Sequence, residues 1–141
     1  MKVIHGNLGK FSKLDGRDRL LFTEALLLHL WVGLMLKIVP FRWVPRLFST
    51  RQSVVGDLQL EKINLIKVAL QRAGNISPWK NRCLVSSLAG RCMLSRRKII
   101  SRIFIGVAKS DTGSLVAHAW LNAGNFEIIA KNGEYRTLYT F

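Results

Sequence analysis

The last third of the chain constrains its fold most. Four β-branched and aromatic runs, IISRIFIGVAK (99–109), LVAHAWLN (115–122), NFEIIAK (125–131) and YRTLYTF (135–141), are separated only by SDTGS, AGN and NGE. Apolar runs this short, joined by turn-formers, predict strands, and the shortness of the connections predicts an antiparallel meander. The preceding residues have helical periodicity instead. Helices first and sheet second make an α+β fold.

Two helices are expected between residues 57 and 98. Asp57 is a suitable N-cap, with Leu58, Glu61 and Lys62 opening the first; Ile63, Ile66, Leu70 and Ala73 recur at helical spacing, and Gly74 should end it. The turn-rich NISPWK then leads into a second helix, with Asn81 or Ser77 as candidate cap.

Further upstream, LLFTEALLLHLWVGLMLKIV (20–39) is long enough to span a bilayer, but Glu24, His29 and Lys37 interrupt it. Each ionisable group at membrane depth costs on the order of a few kcal/mol. The stretch therefore reads as a long helix, started near Asp18 and stopped by Pro40, hiding its apolar surface against the domain, a partner protein or the membrane face. PFRWVPRLFSTRQ (40–52) reads as a linker. The division is a helical arm and linker over 1–52 and a core over 53–141.

The 22 Lys and Arg against eight Asp and Glu give +14, a field that attracts anionic partners such as nucleic acid, acidic lipid or acidic peptide. Charge names a partner class and no activity, so a non-catalytic basic binding module for nucleic acid or a membrane-associated assembly is the alternative reading. The N-terminal MKVIHGNLGKFSKLDGRDR has no apolar core with a small-residue cleavage site, and two cysteines make no disulfide scaffold. The expected compartment is the cytoplasm.

Both cysteines lie in NRCLVSSLAGRCMLS (81–95). Nine residues apart on one helix, Cys83 and Cys92 point about 180° from each other, which rules out a shared metal or a local disulfide within that helix. Cys92 shares its face with Val85, Leu88 and Ala89 and reads as a core thiol. Cys83 lies instead beside Ser86, Ser87 and Gly90, small residues over which another element or a substrate can approach. It also sits in the first helical turn, where free N–H groups favour negative charge on sulfur and on a developing oxyanion.

A catalytic thiol needs a base. His5 lies near the chain end and His29 amid leucines, where a satisfied or interfacial imidazole is expected; His118, with Trp120 on the same strand face, is the candidate, its other reading being a buried imidazole hydrogen-bonded to backbone. A cysteine at a helix start and a histidine on a later strand form the dyad of papain-type thiol catalysis.

These residues resemble a known family. PWKNRCLVSSLAGRCMLSRRKI, IFIGVAK, AHAWLNAG and the TLYTF end are similar to the transglutaminase-like leader peptidases of lasso peptide biosynthesis, and residues 15–48 resemble the helical arm carried before their catalytic core. The resemblance implies a papain/transglutaminase-like core with Cys83 as nucleophile and His118 as its base. It implies cleavage of a ribosomally made lasso precursor between leader and core, so that a separate ATP-dependent, asparagine-synthetase-like cyclase can close the macrolactam. A separate leader-recognition protein, and no nucleic acid, metal or cofactor, belong to the same picture, with peripheral contact at the inner membrane as an option for the arm. The chain departs from the family in the third catalytic member. Where an acidic residue is expected after the histidine strand there is Ala130 or Lys131, and Asn125, Glu127 or Asn132 are the substitutes.

Overall fold

A computed structural model describes residues 15–49 and 60–141. His5, Asp57 and Leu58 fall outside the described residues. Helix α1 spans Gly16–Ile38; its N-cap Asp15 accepts a hydrogen bond from the Gly16 N–H, and it ends at Val39, directly before Pro40. A 3₁₀ turn, Phe41–Trp43, and the short α2, Val44–Leu47, follow. Helix α3 covers Leu60–Ile76 and α4 covers Arg82–Arg96. The expected stop at Gly74 is two residues early. Gly74 lies within the helix, where a Cβ would be in ordinary contact with Ser86 Oγ on α4 at 3.4 Å.

The strands are β1 (Arg102–Lys109), β2 (Leu115–Ala123), β3 (Phe126–Ile129) and β4 (Arg136–Thr140). All pair antiparallel, but the spatial order is β3-β2-β1-β4 and not that of a meander. The last strand bypasses β3 and pairs with the free edge of β1. Two features hold it there: reciprocal backbone hydrogen bonds between Ile103 and Phe141, and the Arg91 guanidinium of α4 donating to the Phe141 carbonyl. Residues 130–135 must consequently cross from one edge of the sheet to the other. This crossing shapes the site described below.

Alternation along β2 sends Leu121 toward the helices and His118 and Trp120 to the other face. The core between helices and sheet joins Leu70 of α3, Val85 and Leu88 of α4, Ile103, Leu121 and Ile128. Gly90 marks the tightest point: a Cβ would come 2.6 Å from Leu121 Cδ2 and 2.8 Å from Leu70 Cδ1. The small strip on α4 thus admits a helix and a strand at close range, one of the two roles its sequence suggests.

Helix α1 packs across α3 and α4 through Leu21, Ala25, His29, Val32 and Gly33. Two polar ties fix it to the start of α4. The Trp79 indole N–H donates to the His29 carbonyl at 2.8 Å, its ring lying directly on the backbone of Gly33. Deeper in, His29 Nε2 meets Ser86 Oγ at 2.8 Å.

Candidate active site

Cys83 occupies the second position of α4, set by Asn81 at the cap. The Asn81 side chain makes no capping bond, so no side-chain oxygen of the cap residue competes for the first-turn N–H groups. Cys83 and His118 both line a cavity of about 290 Å3. Helices α3 and α4 contribute Leu70, Gly74 and Ser86 to its wall, and the sheet side contributes Ile128, Ile129 and Ala130. No hydrogen bond joins the thiol to the imidazole among the described residues. Unliganded catalytic pairs are commonly loose until substrate arrives.

The imidazole is held by the chain that follows β3. His118 Nε2 lies 2.9 Å from the backbone carbonyl oxygen of Ala130, the residue standing where the family pattern expects a carboxylate. A carbonyl oxygen only accepts, so the neutral ring in this bond carries its proton on Nε2 and presents a lone pair at Nδ1. Of the three substitutes considered from the sequence, Asn132 lines the cavity, whereas Asn125 and Glu127 are exposed and outside its lining. None of the three bonds the imidazole among the described residues. A bond from this imidazole to backbone is one of the readings its sequence context suggests, but a backbone acceptor carries no residue-type signature, so the sequence does not say which carbonyl it is.

Aromatic rings complete the setting. The Tyr135 ring lies 5.0 Å from the imidazole and Trp120 6.1 Å, while Trp120 stacks on Phe104 at 5.5 Å and is capped by the Lys131 ammonium at 5.4 Å. Trp120 faces away from the helices yet is only 4% exposed, because the crossing segment covers it. Gly106 accommodates this cover, since a Cβ there would meet the Arg136 carbonyl at 2.8 Å and the Trp120 ring at 3.0 Å.

The remaining thiol and imidazole have other settings. Cys92 lines a different cavity, with Leu28, Leu47 and Phe48, and burial pushes its thiol up against the opposing pull of Arg91 and Arg96. Both cysteines are free, and each lines its own cavity. His29 is fully buried, with Nδ1 2.7 Å from the Ala25 carbonyl. That bond fixes the proton on Nδ1, so Ser86 donates to Nε2. Burial lowers the His29 pKa, opposed in part by the Ala25 carbonyl. It is the satisfied imidazole its sequence context suggests, and its serine partner stands one turn from Cys83 on the wall of the same cavity.

A thiol at a helix start and a carbonyl-oriented imidazole on a strand, lining one cavity, are the parts of a thiol acyl-transfer site. Neither a curated protein nor a solved structure matches the chain. The family model described as transglutaminase-like superfamily matches residues 26–140, taking in most of α1 and nearly the whole sheet, and the chain belongs to that superfamily, which includes cysteine peptidases.

Proposed function

We propose that this chain is a cysteine peptidase that removes the leader from a ribosomally made lasso peptide precursor. In this reading His118 Nδ1 takes the proton of Cys83, and the thiolate attacks the carbonyl carbon of the junction peptide bond. First-turn N–H groups of α4 stabilise the oxyanion. The imidazolium then gives its proton to the leaving amine, which is the new amino terminus of the core peptide. The leader fragment, left as a thioester on Cys83, is released by water activated at the same imidazole. Neither a metal nor an organic cofactor enters these steps.

The observation that carries the reading is the shared cavity of Cys83 and His118, with the imidazole held through Nε2 at the Ala130 carbonyl. The choice of substrate rests on the likeness of the 78–99, 103–109 and 117–124 segments to lasso leader peptidases. The chain would work beside a leader-recognition protein and an asparagine-synthetase-like cyclase, neither of which this cavity needs for the bond cleavage itself. The test is cleavage of a synthetic precursor, alone and with a leader-recognition protein, followed by mass spectrometry. Fragments meeting at the leader–core junction, absent with Cys83→Ala and His118→Ala, are expected. Intact precursor under every condition, or full activity of Cys83→Ala, refutes the proposal.

A further inference from the structure

The face of α1 that turns away from α3 and α4 is apolar apart from Thr23. At about 100° per residue, Leu20, Leu27, Leu30, Trp31, Leu34 and Ile38 fall within a sector of about 100°. All six are exposed, Leu20 and Ile38 at 74%. Beyond the helix, Phe41, Trp43 and Leu47 are exposed as well. A surface helix of a globular domain normally turns such a sector inward. Here the opposite side of the helix is the one packed in the core.

The surroundings of this face are cationic. Exposed Arg17, Lys37, Arg42 and Arg46 border it, and Arg46 lies over the Trp43 ring at 5.4 Å. Glu24, on the helix flank next to Trp31, is paired with Arg96 at 3.3 Å and Arg97 at 2.7 Å, leaving a local excess of positive charge. Trp31 also packs near Phe48, at 6.4 Å between ring centroids, and Phe48 lines the second cavity of about 310 Å3. That cavity is apolar at Leu28, Leu47 and Phe48, and its charged members, Arg91 and Arg96, are both cations.

We propose that this surface docks on a membrane leaflet containing anionic lipid, with α1 and the 41–47 segment lying in the plane of the interface. An apolar sector seated among acyl chains, tryptophans at the boundary and arginines at headgroup level are the pattern of an interfacial helix. Spanning is excluded by the other side of α1: it carries His29 in buried hydrogen bonds and is committed to α3 and α4. A second copy of the chain fits poorly, because a net charge of +14 on each would bring cation against cation. The Cys83 cavity shares no residue with this face, so docking leaves it open.

The test is flotation of the full chain with vesicles of phosphatidylcholine alone and of phosphatidylcholine mixed with phosphatidylglycerol. The wild-type protein is expected to float with the anionic vesicles, less so at high salt, and weakly or not at all with the neutral ones. Leu27→Ser and Leu34→Ser should each lower partitioning about tenfold. Bromine-labelled acyl chains provide a reading on the wild-type fold: they should quench tryptophan emission, and Trp31→Phe should remove much of that quenching. The proposal falls if the wild-type protein stays unfloated with both vesicles, or if the double serine variant floats like wild type. It falls equally if sedimentation finds a wild-type dimer that Leu34→Ser dissolves, or a tight complex with a purified partner protein, with no flotation in either case.

Discussion

The contact between His29 and Ser86 makes a quantitative prediction, because both groups are buried and their donor and acceptor roles are fixed. His29→Leu keeps an apolar side chain in the space but removes the acceptor of the Ser86 hydroxyl, whose oxygen lies in a residue only 7% exposed. An orphaned buried hydroxyl costs about 1–3 kcal/mol, and the lost Nδ1 bond to Ala25 adds about 1 kcal/mol, so His29→Leu should destabilise by about 2–4 kcal/mol. Ser86→Ala, which orphans Nε2, should cost about 1–3 kcal/mol. With both replaced no polar group is stranded, and the double variant should be more stable than the sum of the single losses implies, by about 1–2 kcal/mol. Urea unfolding of the four proteins measures this. The same pair sets a pH dependence. Because burial lowers the His29 pKa below its unfolded value near 6.5, the unfolded chain binds more protons there. His29 therefore contributes its full stability above about pH 6.5, and that contribution is lost as pH falls toward and through the lowered folded value, by at most about 1.4 kcal/mol per pH unit. His29→Leu should lack this component of the acid limb. Additive single losses, or an acid limb unchanged in His29→Leu, would refute the assignment of roles.

Cys83→Ala should abolish precursor cleavage while leaving the urea midpoint near that of wild type, and Cys92→Ala should remain active with a modest packing loss of about 1–2 kcal/mol. Iodoacetamide near neutral pH should tag Cys83 well before Cys92, whose thiol burial holds in the protonated form, and peptide mass mapping reads the order. Long-range nitrogen–proton correlation on histidine-labelled protein should give the Nε2–H tautomer for His118; the Nδ1–H pattern would contradict the bond to Ala130. At Gly133, φ is +146° and a Cβ would come 3.2 Å from the Tyr135 ring, so Gly133→Ala should cost about 1–3 kcal/mol and perturb the His118 nitrogen shifts as the crossing segment moves.

What could be read in the sequence follows from where the information is local. Helix spacing around Ile63, Ile66, Leu70 and Ala73 and the 180° separation of the two cysteines are each properties of one element, and both helices form there, the first running two residues past Gly74. Strand order is different. Short turns suggest neighbours, yet β4 joins β1 because of contacts made by residues distant in sequence, the Arg91 guanidinium and the backbone of Ile103. The site divides in the same way. Cys83 and His118 stand out by residue type and spacing, whereas the Ala130 carbonyl is common to every peptide and becomes special only by position. Ser86 is visible as a small residue beside Cys83, but its histidine partner lies 57 positions away on a helix whose apolar composition hides it.

The departure from a meander and the carbonyl that meets His118 belong to the same piece of chain. Had β4 folded back beside β3, residues 130–135 would turn at the outer sheet edge, and the face carrying His118 and Trp120 would lie open to water. Because β4 pairs with β1, these residues travel across the sheet and bring the Ala130 carbonyl to Nε2 and the Tyr135 ring against the imidazole. A carbonyl oxygen accepts from the ring N–H as a carboxylate would, but brings no negative charge with it. The Lys131 ammonium adjoins the same face, over the Trp120 ring. In this arrangement the ring is fixed in position by a backbone carbonyl and an aromatic neighbour, both supplied by the residues that cross the sheet.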